Sequence, residues 1–250
     1  MLLCLLAERP ILSERPRLSS PEETARLRDP KAVRTMFDRV APRYDQANHL
    51  LSLGRDFFWR RRAVEIVAQW NPPCILDLAS GSGDLALALQ RKLPRARITA
   101  VDFSSEMLAI ARDKGVRDVL VADALQLPLA DQSFDAVTVA FGLRNMMDWA
   151  AALREVRRIL TSHGRLLILD FSLPVNPIVR AGYRFYLHKV LPHFCRLITR
   201  EKDAYQYLGA SIENFPNGRA MCELIETAGF RNANAELLTG GIVTIYTAQS

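Results

Sequence analysis

The segment CILDLASGSGD at residues 74–84 restricts the fold of this chain more than any other part of the sequence. Its apolar first half predicts a buried β-strand, and Gly81 and Gly83 predict a tight turn that leads into a helix. A second apolar run ends in a carboxylate, Asp102. Strand, glycine turn, helix and acid-ended strand together indicate a nucleotide-binding unit, in which Asp102 accepts hydrogen bonds from ribose hydroxyls.

The same turn is compatible with two classes of cofactor. Residues 81–86, GSGDLA, satisfy the dinucleotide pattern G-x-G-x-x-G/A. However, Asp77 precedes the turn and Asp84 follows it, and two carboxylates repel a pyrophosphate in a poorly screened site. They favour a cofactor that has no phosphate and carries a cation. S-adenosylmethionine has a sulfonium, an ammonium and a ribose, so we expect it rather than a dinucleotide.

Strand and helix patterns alternate after residue 74. Apolar runs predict strands at residues 75–78, 98–101, 119–121, 136–140, 166–169, 235–238 and 242–248. Helical patterns occupy residues 85–92, 105–114, 148–160 and 218–228, and Gly115, Gly164 and Gly229 are placed as helix C-terminal glycines. This alternation predicts an α/β fold, with a Rossmann-like parallel sheet of seven strands. The Thr239-Gly240-Gly241 turn predicts a hairpin, which makes the last strand antiparallel.

The remaining segments suggest how the chain is organised around this sheet. Residues 1–28 predict a flexible tail, and residues 29–250 a single domain that begins with helices over 29–40 and 56–70. Residues 171–215 are too long for an ordinary loop, so we predict an inserted helical cap there. The apolar start, Met1–Ala7, is short and has no basic residue before it. We therefore expect no signal peptide.

The carboxyl ends of parallel strands meet at one edge of the sheet, where ligands bind. Asp123 and Ala124 follow the third strand, and we expect them to hold the adenine edge; a simple loop cap by Asp123 is the competing interpretation. The complete set of predicted cofactor-binding residues is Asp77, Gly81, Ser82, Gly83, Asp102, Asp123 and Ala124.

Charge and cysteine content indicate which kinds of binding partner and which cell compartment are expected. The formal net charge is +6, and the cap carries aromatic and apolar residues interleaved with Arg and Lys. This pattern fits either a helix packed on the domain or a cap that covers an apolar substrate and contacts anionic lipid. The four cysteines are scattered, which suggests neither a zinc site nor disulfides and is consistent with the cytoplasm. No RNA-binding motif with paired aromatic residues is present, so we expect no nucleic-acid partner.

Several motifs, in the right order, resemble the ubiquinone/menaquinone biosynthesis C-methyltransferases. The matching segments are YDxxN at 44–48, SLG at 52–54, Trp59, FGLRN at 141–145, DFS at 170–172, YxYL at 205–208 and TGG at 239–241. The resemblance covers roughly residues 31–248 and implies a class I methyltransferase fold. It also implies methylation of a ring carbon on a polyprenyl quinol at the inner face of the cell membrane.

The resemblance leaves the choice of substrate open. We expect demethylmenaquinol, and 2-polyprenyl-6-methoxy-1,4-benzoquinol or another apolar small molecule are the alternatives. A nucleotide-binding module without catalysis is a further alternative, which the complete glycine loop disfavours. Whether the chain forms a homo-oligomer is also open. Four places depart from the family pattern. Asp56 stands where His is usual, Ala47 where Met is usual and Ala140 where Ser or Gly is often found, and TSHG at 161–164 replaces the usual KPGG turn.

The resemblance also suggests the catalytic residues, Arg144, Asn145 and Asp45. Arg144 is expected to stabilise a quinolate, although a salt bridge to a neighbouring acid is the alternative. Arginine stays protonated, so the proton acceptor is expected to be Asp45, His49 or a water held by Asn145. No metal is expected, because binding itself aligns the methyl donor and the nucleophile.

Overall fold

Strands are interspersed with helices over residues 74–171, and two further strands follow a helical segment near the end of the chain. The computed structural model describes residues 35, 38, 52, 54–190 and 202–250. Its strands are β1 (Cys74–Leu78), β2 (Arg97–Asp102), β3 (Asp118–Val121), β4 (Phe134–Ala140), β5 (Leu160–Phe171), β6 (Arg231–Leu238) and β7 (Val243–Gln249).

Seven α-helices connect or flank these strands within the described part of the chain. They are α1 (Arg55–Trp70), α2 (Asp84–Lys92), α3 (Ser105–Asp113), α4 (Trp149–Ile159), α5 (Pro177–Phe185), α6 (Lys202–Asn214) and α7 (Arg219–Thr227). Short 3₁₀ turns occupy Leu143–Asn145 and Thr239–Gly241, and a π turn follows α5 at Tyr186–Val190. None of the described helices is long and apolar enough to span a bilayer.

The strands form one sheet in the order β3-β2-β1-β4-β5-β7-β6. All neighbouring pairs are parallel except those that involve β7, which runs antiparallel to both β5 and β6. This confirms the predicted fold class, including the antiparallel last strand. The strand order reverses between β1 and β4, and such a reversal opens a crevice at the carboxyl edge of the sheet.

The central strands are apolar on both faces because helices cover both faces. Ile75 and Leu167 face one apolar core, whereas Leu76 and Ile168 face the other. All four side chains are fully buried. The near-continuous apolar runs of β1, β4 and β5 are therefore what this sandwich of helix, sheet and helix requires.

The fifth strand differs from its prediction at one end. It was expected over residues 166–169, but it begins at Leu160, directly after α4. Leu160 pairs with Phe134 across an irregular register. The prediction of Gly164 as a helix C-terminal glycine is therefore wrong: it lies inside β5, where a Cβ would approach the Leu160 side chain to 2.9 Å. Gly115 and Gly229 do follow helices with positive φ.

The segment after β5 packs back on the domain through a separate apolar cluster. Tyr183, Leu187 and Ile212 form its buried centre, with Phe171 and Ile242 against them. The cluster thus anchors α5 and α6 beside the carboxyl edge of the sheet. Residues 191–201 and the predicted tail, 1–28, lie outside the described residues. Of the predicted helix over 29–40, only Thr35 and Asp38 are described, and both are helical.

Two loops meet at the crevice with no room for an additional carbon atom. A Cβ at Gly142, after β4, would lie 2.4 Å from the Cβ of Ala79, after β1. We expect Gly142→Ala to lower the free energy of unfolding by about 1–3 kcal/mol, because one loop must move. Urea unfolding followed by circular dichroism measures this change.

Gly182 on α5 provides the matched control. A Cβ at Gly182 meets no atom within 4 Å, so Gly182→Ala should leave stability unchanged or raise it by up to about 1 kcal/mol. Equal stability of the two variants would contradict the close approach of the two loops.

Candidate active site

A cavity of about 380 Å³ lies at the carboxyl edge, over the ends of β1, β2 and β4. Its volume is in the range of sites for small ligands and cofactors. It is lined by Arg60, residues 77–82, Asp84, Leu85, Asp102, Phe103, Met107, residues 121–125, residues 140–142 and residues 145–147. Six of the seven predicted cofactor-binding residues are in this lining; the seventh, Gly83, caps the helix that follows the glycine loop.

Asp102 organises the glycine loop through its two carboxylate oxygens. The backbone N–H of Gly81 donates to Oδ2 at 2.8 Å, and that of Ser104 donates to Oδ1 at 2.9 Å. Each oxygen has a second lone pair, so the carboxylate can still accept ligand hydroxyls. Asp102 is buried, and burial raises the pKa of its carboxyl group.

The turn depends on left-handed backbone at both of its glycines. Gly81 has φ +54° and Gly83 has φ +82°. At Gly83 a Cβ would also lie 2.7 Å from the Val116 side chain. The two glycines of the sequence motif are therefore required for conformation and, at Gly83, also for space.

Asp77 is a buried carboxylate whose hydrogen bonding is incomplete. Thr138 on β4 donates to its Oδ1 at 2.6 Å. Its Oδ2 and the Oγ of Ser80 are buried with no hydrogen-bond partner among the described residues. Burial raises the pKa of Asp77 to about 7. A buried polar atom without a partner is costly, so both atoms point to a ligand that supplies donors in this cavity.

Arg60 is a cavity residue that the sequence analysis did not assign to the site. Its guanidinium lies 5.7 Å from the centroid of the Phe141 ring and 3.6 Å from Oδ2 of Asp84. It also forms an ion pair with Asp56, one turn earlier on α1. The sequence places Asp56, Trp59 and Arg60 on one face of a helix, but what that face contacts depends on how α1 packs.

Asp56, a departure from the family pattern, has a structural explanation. Its side chain is buried, and it accepts hydrogen bonds from Ser52, at 2.7 Å, and from Arg60. Asp56 therefore holds the orientation of Arg60 and is itself outside the cavity lining.

Asp123 and Ala124 both line the cavity, and Asp123 also caps its own turn. The backbone N–H of Leu125 donates to Asp123 Oδ1 at 2.9 Å. Oδ1 of Asp123 therefore acts as the loop cap of the competing interpretation. The backbone of the same turn pairs Asp123 with Gln126, which fixes the loop against the cavity.

Three aromatic rings pack together beside the cavity. Phe141 lies 4.9 Å from Phe171 and 6.1 Å from Trp59, and Trp59 lies 6.0 Å from Phe171, centroid to centroid. The indole N–H of Trp59 donates to Thr239 at 2.8 Å, which ties α1 to the TGG turn. Phe141 has φ +57°, an uncommon conformation for a bulky residue that often marks a functional site. These rings form an apolar wall.

Arg144 lies behind this wall and is absent from the cavity lining. Its Nη1 atom donates to Asp170 Oδ1 at 2.7 Å and also to the Phe141 carbonyl. The guanidinium lies 5.2 Å from the centroid of the Phe171 ring. Asp170 is fully buried, and burial raises its pKa while Arg144 opposes the rise. The alternative stated for Arg144, a salt bridge to a neighbouring acid, is thus present in the structure.

Asn145, the next residue, does reach the cavity. Its amide nitrogen donates to the Phe141 carbonyl at 3.3 Å, and its Oδ1 accepts a hydrogen bond from the Tyr207 hydroxyl at 3.1 Å. Tyr207 belongs to α6, so this contact joins the cap to the loop after β4. The other predicted catalytic residue, Asp45, lies outside the described residues, as does His49.

The charges in this lining favour a ligand with a cationic part. Asp77, Asp84, Asp102 and Asp123 supply carboxylates, and Arg60 supplies a cation at one end. A pyrophosphate would meet these carboxylates in a partly buried site, where repulsion is poorly screened. A nucleoside with a positive centre and an amino-acid part meets complementary groups.

Comparison with known proteins agrees with this geometry. The chain matches the model of the ubiE/COQ5 methyltransferase family over residues 24–250. It is 46% identical, over 217 residues, to the demethylmenaquinone methyltransferase of Thermus thermophilus, covering 84% of this chain and 98% of that protein. It is 44% identical, over 219 residues, to the ubiquinone/menaquinone biosynthesis C-methyltransferase UbiE of Syntrophotalea carbinolica, covering 86% and 92%.

Solved structures share the fold. A S-adenosylmethionine-dependent methyltransferase from Thermotoga maritima superposes with a TM-score of 0.56 at 20% identity, covering 87% of this chain and 99% of that one. The sequence-based predictions of family and cofactor are confirmed. The chain belongs to the ubiE/COQ5 methyltransferase family and is a S-adenosylmethionine-dependent methyltransferase.

Proposed function

We propose that this chain methylates a ring carbon of demethylmenaquinol, a polyprenyl quinol, and so forms menaquinol. The observation that carries the proposal is the match to almost the whole length of the Thermus thermophilus relative, whose name states this substrate. The cavity supports it, because acidic groups and an aromatic wall lie together at the crevice. Methylation of a benzoquinol is the second candidate, which the name of the Syntrophotalea carbinolica relative favours.

The residues of the crevice fit the methyl donor. Asp102 would accept both ribose hydroxyls, and Asp123 with Ala124 would lie beside the adenine. Gly81 and Gly83 allow the backbone to approach the donor closely, and Ser82 lies between them in the same loop. S-adenosylmethionine supplies a methyl group on a cationic sulfur.

Two opposite charges would recognise the amino-acid end of the donor. Asp77 has an oxygen that lacks a partner among the described residues and would accept from the ammonium group. Arg60 lines the same cavity and would pair with the carboxylate. The ion pair with Asp56 holds Arg60 in place, so little side-chain entropy is lost when the donor binds.

On the substrate side, Phe141 lines the cavity and would receive the aromatic ring of the quinol. Trp59 and Phe171 pack against Phe141 and support it. Loss of a proton from a ring hydroxyl makes the neighbouring carbon nucleophilic, and the hydrogen on that carbon leaves as a proton after the methyl group is added. Asn145 would hold the hydroxyl or a water that accepts its proton. Asp45 is our other candidate for this acceptor.

Arg144 would act on the quinolate from behind the aromatic wall, through its positive charge. Its partner, Asp170, neutralises part of that charge. A purely structural role, holding the loop after β4 against β5, is the competing proposal for this residue.

The substrate also suggests where the enzyme works. A polyprenyl chain partitions into a bilayer, so the quinol ring must be reached at a membrane surface. We place the protein in the cytoplasm, in peripheral contact with the inner face of the cell membrane.

The purified chain tests the function when it is incubated with S-adenosylmethionine that carries a labelled methyl group. We expect label in the naphthoquinol when demethylmenaquinol is supplied. The 2-polyprenyl-6-methoxy-1,4-benzoquinol is supplied in parallel as the competing substrate. Preferential labelling of the benzoquinol would move the assignment to the second candidate, and labelling of only protein or nucleic acid from an extract would exclude both.

The raised pKa of Asp77 predicts how cofactor affinity depends on pH. A cation bound beside Asp77 favours the ionised carboxylate, so a proton competes with the cofactor below the pKa of about 7. Affinity should therefore be full above that pH and fall by about tenfold between pH 8 and pH 6. Isothermal titration calorimetry with S-adenosylmethionine measures this change.

The isosteric variant Asp77→Asn is the control. The amino group of the cofactor also titrates near this range, and it does so equally with both proteins. The affinity of the native chain divided by the affinity of the Asp77→Asn variant therefore reports on Asp77 alone. This ratio should fall as the pH is lowered, and a constant ratio would show that Asp77 does not exchange a proton when the cofactor binds.

A pair of variants separates the two proposed roles of Arg144. Arg144→Ala alone leaves Asp170 buried without its cation, which should destabilise the protein by about 3–5 kcal/mol. The loss should be smaller at low pH, because protonation of Asp170 removes the buried charge. The double variant Arg144→Ala/Asp170→Asn avoids that charge at any pH.

Turnover of the double variant then decides between the roles. If Arg144 stabilises the quinolate, turnover stays at least about tenfold low while the affinity for the cofactor is normal. Recovery of normal turnover by the double variant would remove Arg144 from the chemistry and leave it the structural role.

A further inference from the structure

Helix α5 presents an apolar strip to the outside. Ile178 is 81% exposed and Phe185 is 63% exposed, and they are seven positions apart, which places them on one face of a helix. Ala181 and Gly182 lie between them on that face. Val175, just before the helix, is 69% exposed. Exposed large apolar side chains that form a continuous strip mark an interaction surface.

The opposite side of the same segment fixes this strip in position. Tyr183 is 8% exposed and Leu187 is 3% exposed, and both belong to the cluster that packs on Phe171 and Ile242. Arg180 donates hydrogen bonds to the carbonyls of Pro174 and Val175, at 2.8 and 3.1 Å, which holds the preceding loop against the helix. The strip therefore cannot turn inward without breaking a formed apolar cluster.

The segment that carries the strip has basic residues and no acidic ones. Residues 171–190 contain Arg180, Arg184 and Lys189 and no Asp or Glu. Arg184 remains about half exposed (51%) although its Nε atom lies 3.1 Å from Glu213. An apolar face flanked by basic residues is the pattern of a helix that lies in the interface of an anionic bilayer.

We propose that the α5 strip, defined by Val175, Ile178, Ala181, Gly182 and Phe185, docks on an anionic phospholipid bilayer. The apolar side chains enter the boundary between headgroups and acyl chains, and Arg184 and Lys189 meet the lipid phosphates. Docking here would bring the neighbouring crevice to the membrane surface, where a prenylated quinol is held. The role of the docking therefore rests on the proposed function, whereas the docking itself does not.

Charge favours lipid over a second copy of the chain as the occupant. A symmetric dimer on this face would bring the same basic residues of two copies together, on molecules whose net charge is already +6. An anionic lipid surface would instead attract these basic residues.

The test measures binding of the full chain to vesicles of phosphatidylglycerol and phosphatidylcholine that contain no quinol. Ile178→Ser/Phe185→Ser should lower the partition coefficient by at least about tenfold, because two apolar side chains no longer enter the bilayer. Arg184→Gln should lower it by about fivefold. All of these side chains are exposed, so the thermal midpoint should stay unchanged.

Arg219→Gln is the matched control for charge. Arg219 is also an exposed arginine on a helix, with its Nε atom 2.7 Å from a glutamate, Glu223, but it lies on α7. Its removal should leave vesicle binding within error. An equal loss in both arginine variants would overturn the proposal in favour of nonspecific attraction by net charge.

Two further results would also overturn it. The first is equal binding by the double serine variant and the native chain. The second is no vesicle binding by the native chain, together with a native dimer that the double serine variant dissociates in light scattering, since this would assign the strip to a second copy.

An activity assay keeps this proposal separate from the proposed function. With 1,4-dihydroxynaphthalene, which has no prenyl chain, the double serine variant should methylate as fast as the native chain. With demethylmenaquinol in vesicles it should be slower. If no preparation methylates either quinol but vesicle binding still depends on Ile178 and Phe185, docking stands and the proposed function fails.

Discussion

The parallel pairing of β1 with β4 is the constraint on which the rest of the site depends. It places Thr138 beside Asp77. The hydrogen bond from Thr138 then holds the buried carboxylate of Asp77 at the floor of the crevice. The same pairing brings the loops after both strands into contact, through Gly142 and Ala79. Because the strand order reverses here, the two loops diverge above this contact and leave the cavity between them.

Three buried carboxyl groups lie in or beside this crevice. Asp77, Asp102 and Asp170 are all buried, and burial raises the pKa of each. Such carboxylates are costly when ionised without partners. Asp102 is compensated by backbone N–H groups and Asp170 by Arg144. Asp77 has a buried oxygen, Oδ2, with no hydrogen-bond partner among the described residues, so a cationic ligand would stabilise it.

Much of the fold could be predicted from the sequence, because its signals are local. Apolar runs of the right length and the glycine turn locate β1, β2 and the cofactor loop, and the hairpin signal at residues 239–241 orients β7. The start of β5 was missed, since Thr161, Ser162 and His163 are polar and Leu160 pairs with β4 across an irregular register. That pairing is tertiary and leaves no periodic pattern in the sequence.

The site residues also divide into those that the sequence locates and those that depend on tertiary packing. Asp77, Asp102 and the glycines are adjacent to strand ends, so their location follows from the topology. Arg60 comes from a helix that precedes the sheet, and its approach to the cavity depends on how α1 packs. The partnership of Arg144 with Asp170 joins residues 26 positions apart on neighbouring strand ends. Sequence alone supplied both charges but could not decide whether they meet.

The hydrogen bond between Tyr207 and Asn145 has a consequence for the whole catalytic cycle. It joins Tyr207 of the cap to Asn145 of the loop after β4, and Asn145 also lines the cavity. A ligand that displaces the Asn145 side chain also changes the position that α6 prefers. Thermodynamic reciprocity then requires that whatever moves α6 alters the affinity at Asn145 by the same factor. A ligand that shifts Asn145 is therefore coupled energetically to the cap through this hydrogen bond.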